Sequence, residues 1–243
     1  MTRHFILLLA SALAQIGVAL AETQPMGGFA IDRTEVTIGA FRAFADATSM
    51  VTAAERNGGG SVYEAGWVRK PGWTWRTPFG AAGLDAEPAV HVTYDEAQAY
   101  CRWAGKRLPT DAEWLEAAHI ERRESPPAPF QNGREYPYPT GDTPAGASCL
   151  GDCGPTPALD RSAVLVRGVG PAPAGATTPG VNGLFDMGAN VWEWVDTTVG
   201  SERITRGGSW WYGAAQMHRD HRAGKPPETA VVYIGFCCVE DRP

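Results

Sequence analysis

The sequence predicts a mixed α+β single domain dominated by loops, and three observations point there. Gly 29 and Pro 19 together make up nearly a fifth of the 243 residues, a load that excludes a helical bundle. Two capping-box sequences open short helices mid-chain, and short strand-like runs lie toward the C-terminus. No repeat, low-complexity tract or convincing linker divides the chain. Hydrophobic residues at 44% and charged residues at 20% are an ordinary globular balance. The net charge of −6, with no Lys/Arg block, argues against a nucleic-acid partner.

Taken in order, residues 1–21 read as a secretory signal. Arg3 precedes the apolar run Phe5 to Ala14, and Ala19-Leu20-Ala21 is an A-x-A cleavage site. The run is too short for a transmembrane span; an uncleaved leader that tethers the chain is the other reading. Cleavage leaves a domain over 22–243 in the periplasm or secreted, where disulfides form. The segment Val36 to Phe44 is a strand end entering a helix capped by Thr37. Asn57 to Gly83 is a long irregular loop carrying Trp67, Trp73 and Trp75. Val90-His91-Val92 is a short strand. Thr93 to Glu96 then caps a helix to about Ala104, with Ala97, Tyr100, Cys101 and Ala104 on one face. Thr110 to Glu113 opens a second helix that carries Trp114 and Leu115 and ends near His119. Residues 121–182 are aperiodic, and a loop region that long is either functional or stapled. Short strands return at Arg203–Arg206 and Val231–Ile234.

Five cysteines, an odd number, leave one thiol over. Cys149 and Cys153 lie in a Gly-bent loop as C-x-x-x-C. A local disulfide suits them better than zinc, because no second pair with zinc spacing exists.

Several long motifs occur in register. They include Pro88 to Tyr94, Ala99 to Trp114, Asn182 to Met187, Asn190 to Trp194, Arg206-Gly207-Gly208-Ser209-Trp210 and Gly235-Phe236. Together they resemble the formylglycine-generating enzyme (sulfatase-modifying factor) family across most of residues 26–241. The resemblance implies a loop-rich domain with a C-type-lectin-like core. It also implies a Cys101–Cys238 disulfide, which leaves Cys237 free. The first hairpin, around Gly27-Gly28-Phe29, looks shortened against the family pattern.

Members of that family hold copper with two cysteines shortly after the Gly-Gly-Ser motif. This chain has Tyr212 and Met217 there, and neither a phenol nor one thioether replaces a thiolate pair for copper(I). Formylglycine generation is therefore not expected. By the same resemblance, Asp186 and Glu193 with the carbonyls of Ala189 and Val191 would bind a structural calcium, as hard oxygen donors in one turn do. A plain structural turn with Glu193 ion-paired is the other reading. A second calcium site would draw on Asp160, with Ser148 in place of the usual Asn.

His218 and His221 form a His-x-x-His pair near the family's active site. With Tyr212 or Met217 they are candidates to hold copper or iron; they also read as ordinary loop histidines. Ser209 lines the pocket in the family and equally suits a turn. His91 and His119 read as packing residues. Trp103, Trp114, Trp192 and Trp194 belong to the core. Trp67, Trp73, Trp75, Trp210 and Trp211 either pack loops or offer a face to a sugar or peptide. Two functions are weighed from this: a non-formylglycine oxidoreductase or maturation factor, related to the cysteine-free pyoverdine-maturation members, and a lectin-like module binding a small molecule, glycan, peptide or partner protein.

Overall fold

A computed structural model of the chain describes residues 21–242, so all of the leader except Ala21 lies outside the described residues. Among the described residues no helix is long and apolar enough to cross a membrane. The chain enters through a hairpin of β1 (Thr23–Pro25) and β2 (Phe29–Asp32), and the C-terminal strand pairs with β2, so the two ends of the domain share one sheet. Helix α1 (Ile38–Thr48) starts where Thr37 accepts the Ala40 amide at 3.2 Å, as its position predicts. A one-turn helix, α2 (Ala53–Arg56), leads into the hairpin β3 (Ser61–Tyr63) and β4 (Trp67–Arg69).

Helices α3 (Tyr94–Trp103) and α4 (Asp111–His119) carry the two capping boxes expected from Thr93/Glu96 and Thr110/Glu113. Glu96 serves twice. One oxygen accepts the Thr93 amide at 2.9 Å and the other the Ala53 amide at 2.5 Å, so a single carboxylate holds the starts of α3 and α2. The main sheet follows from β5 (Trp192–Val199), β6 (Glu202–Arg206), β7 (Ala223–Lys225) and β8 (Ile234–Gly235), in the order β7-β6-β5-β8. Strand β9 (Val239–Asp241) closes the chain on β2.

Of three clusters in the interior, two are large. Phe41 and Phe44 of α1 meet Tyr100 of α3, Trp75 and Phe236 in one aromatic core. Trp114 of α4 packs with Ile31, Met187, Val195 and Ile204 in the other. Cys101 of α3 bonds Cys238, Cys149 bonds Cys153, and Cys237 is free and buried, the pairing that the loop reading and the resemblance imply. The aperiodic segment is pinned by buried Asn182, whose amide nitrogen donates to the carbonyls of Ala117 and Ile120, both at 2.8 Å. Its amide oxygen accepts the Arg122 N–H at 2.6 Å. His91 and His119 are core residues; burial pushes their pKa values down to about 4 and about 3.

Three local expectations differ from the structure. Val90–Val92 is not a strand, because His91 has φ 59° and that left-handed residue breaks any extended run. Of Val231–Ile234 only Ile234 enters a strand, with Gly235 and parallel to β5. The region read as one irregular loop contains the β3–β4 hairpin, whose three-residue strands are too short to show alternation.

Candidate functional site

The site is built where β6 ends. Gly207 and Gly208 have φ of 90° and 79°, and both are crowded: a Cβ would lie 2.8 Å from the Met187 carbonyl oxygen and 3.1 Å from Gln216 backbone. Only glycine lets the chain pass between the 186–190 loop and the 214–217 turn there. Ahead of them Arg206, buried, grips Asp111 with two hydrogen bonds of 2.6 and 2.8 Å. The remaining terminal nitrogen donates to the carbonyls of Arg219 (3.0 Å) and His221 (2.8 Å), so the start of α4 fixes the histidine loop.

His218 and His221 do reach one cleft, of about 370 Å3, with Tyr138, Ala215 and Asp220. His218 lies edge-on to Tyr138, and its Nδ1 is 3.5 Å from an Asp220 carboxylate oxygen. His221 is half-buried against Trp192. Burial first, and the charges of Arg206 and Lys225 second, hold its pKa below the usual histidine value. One imidazole is thus kept neutral while its neighbour sits beside a carboxylate.

The other candidates stand apart. Ser209 is buried, its hydroxyl accepting the Trp211 amide at 3.3 Å. Tyr212 is half-buried against Trp192 and Tyr233. Met217 packs with Cys149, Cys153, Ala189 and Ala214 rather than lining the cleft. Among the described residues no third His, Cys, Asp or Glu donor joins the two imidazoles. Of the other two residues weighed with the pair, neither Tyr212 nor Met217 lines this cleft.

The Asp186–Glu193 loop is a different environment. Asp186, Ala189 and Asn190 all have positive φ, winding the backbone tightly around one point. Asp186 accepts from the Gly175 amide (2.5 Å) and the Thr177 hydroxyl (2.6 Å). One oxygen of Glu193 accepts from Trp114 Nε1 at 2.7 Å and meets Cys237 Sγ at 3.0 Å. The other, Oε1, is buried without a hydrogen-bond partner. Burial, with repulsion from Asp186, pushes the Glu193 pKa up to about 7. Glu35, unremarked in the sequence, is a third buried acid there. It accepts from Asn190 Nδ2 (2.7 Å) and the Val191 amide (3.0 Å) and is pushed well above the carboxylate range by burial and by both neighbours. An orphaned carboxylate oxygen in a tightly wound acidic loop fits a hard cation. Asp160 lies elsewhere, exposed, with Oδ1 taking the Ser162 amide at 2.9 Å.

Of the five loop tryptophans, Trp73, Trp75, Trp210 and Trp211 are buried and clamp loops. Trp67 is 60% exposed. It borders an 820 Å3 cleft with Glu64, Val68, Val166, Arg167 and Trp211, and a second of 330 Å3 with Lys225 and Glu228. Neither Tyr138 nor Asp220 was legible as part of a site, because lone residues in loops carry no spacing signal.

Residues 17–242 match the sulfatase-modifying factor enzyme 1-like domain. The formylglycine-generating enzyme of Streptomyces coelicolor is 32% identical over 256 residues, covering 88% of this chain and 78% of that one. The inactive C-alpha-formylglycine-generating enzyme 2 of Mus musculus is also 32% identical, over 242 residues, with 86% and 74% covered. The solved structure of PvdO from Pseudomonas aeruginosa superposes with a TM-score of 0.60 at 24% identity, covering 88% of this chain and 80% of that one, and shares the fold. With that match across nearly its whole length, the chain belongs to the sulfatase-modifying factor family.

Proposed function

We propose that this chain is an exported member of the family that has left formylglycine generation and serves a different oxidative or maturation step, on a ligand held between Tyr138, His218 and His221. The observation that carries the reading is the pair of imidazoles in one open cleft with unlike environments. A neutral His221 accepts a proton, and the Asp220 amide, donating to His218 Nδ1 at 3.4 Å, orients the second imidazole in the cleft. Arg206 is the positioning residue, since it fixes the backbone of His221 from Asp111. Asp186 and Glu193, with the carbonyls of Ala189 and Val191, hold a calcium whose role is to stiffen the loop under Ser209–Trp210, not to react.

The test compares extracts of cells lacking the gene with cells carrying the parent or His221→Ala, by mass spectrometry of exported small molecules and peptides. With dioxygen as the external oxidant, the parent is expected to restore a product differing by two hydrogens or one oxygen, and His221→Ala to lose about 99% of it, the hundredfold that acid–base groups contribute at the least. Full product with His221→Ala overturns the reading. A second reading, binding without chemistry, is supported by exposed Trp67 between its two clefts. In that case Trp67→Ala removes ligand retention and no mass change accompanies it.

A further inference from the structure

The loop 148–153 lies against the segment that replaces the family's copper thiols. The Leu150 amide donates to the Tyr212 carbonyl at 2.9 Å, and the Ala214 amide to Asp152 Oδ1 at 2.9 Å. These two ties, one between backbones and one through the Asp152 side chain, hold the loop on residues 212–217 independently of its disulfide. Across the contact, Met217 Sδ is 3.9 Å from Cys153 Sγ. Cys149, Cys153 and Met217 are buried together with Ala147, Ala189 and Ala214. Ligand atoms of Cys149, Asp152 and Cys153 lie within 4.8 Å of one another, the one such His/Cys/Asp/Glu group among the described residues.

We infer that, once the Cys149–Cys153 bond is reduced, its two thiolates and the Met217 thioether form a three-sulfur site for copper(I). Two thiolates and a thioether are the soft donors that select this ion. Asp152, the nearest hard donor, is exposed and tied to the Ala214 amide through Oδ1. The site uses none of the residues of the proposed acid–base cleft and stands or falls separately from it.

The reductant is an external dithiol. It gives two electrons and two protons to the Cys149–Cys153 bond and is itself oxidised to a disulfide; copper(I) then displaces the two thiol protons. Access favours this bond over the other. Cys149 is 8% exposed and is followed by exposed Leu150, Gly151 and Asp152, whereas Cys101 and Cys238 are fully buried.

The experiment treats the mature protein with a small dithiol under native conditions. After the dithiol is removed without air, copper(I) is titrated against the chelator bicinchoninate. One copper(I) per chain is expected after reduction and none before it. Affinity is expected to fall at least tenfold in Met217→Leu, which keeps the volume, and uptake to vanish in the Cys149→Ser/Cys153→Ser double variant. Near-ultraviolet circular dichroism checks that each variant keeps its tertiary packing. No uptake by the reduced parent, undiminished affinity in folded Met217→Leu, or a disulfide that opens only when the native signal is lost would each overturn the inference.

Discussion

Replacing Cys101 and Cys238 together by alanine is expected to lower stability by about 5 kcal/mol, and the melting temperature by roughly 10–20 °C. The bond closes a separation of 137 residues and ties α3 to the approach of β9, so it restricts most of the unfolded domain. The double variant is the proper test, because either single change leaves a buried thiol beside the free Cys237. The Cys149–Cys153 bond spans only four positions, and on the same loop-entropy reasoning its removal costs about 2 kcal/mol. Calorimetry of both double variants reads the ratio. Equal losses would show that native-state strain or packing, rather than chain closure, sets the contribution of each bond.

Saturating calcium is expected to stabilise the folded chain by about 2.7 kcal/mol at a hundredfold excess over its dissociation constant. Asp186, Glu193 and Glu35 are all raised by burial; Asp186 and Glu193 push Glu35 up further, and Asp186 does the same to Glu193. A divalent cation relieves that repulsion and gives Glu193 Oε1 the partner it lacks. The stabilisation should reach Trp114, which donates to the other oxygen of Glu193. Thermal unfolding with and without chelator measures it, and Asp186→Ala should abolish the difference. A parent midpoint that ignores both calcium and chelator would assign the loop to hydrogen bonding alone, with Thr177 and Gly175 sufficient for Asp186.

What the sequence revealed, and what it hid, divides by the range of the signal. Thr37, Thr93 and Thr110 announce their helices because a cap is a local bargain between a side chain and an amide three residues away. The long in-register motifs carry the family, and with it Cys101–Cys238. Strand β5 went unread, since its first half is buried on both faces and lacks alternation. Glu35 was hidden for another reason: it meets Asn190 and Val191 from more than 150 positions away. Likewise the contact between Cys153 and Met217 joins two loops of no regular period. His218 and His221 were legible as a pair by spacing, while Tyr138 and Asp220 joined them only through folding.

The central claim is that a chain with this family's fold, and with Tyr212 and Met217 in place of its copper thiols, does not make formylglycine. The direct measurement incubates the mature protein, disulfides intact, with a sulfatase-type cysteine peptide, copper and oxygen, and scores the aldehyde by mass spectrometry. The Streptomyces coelicolor relative serves as the positive control. No aldehyde above the enzyme-free blank is the predicted result, because the cleft offers no thiolate pair. Aldehyde formed at the rate of the control would contradict the account.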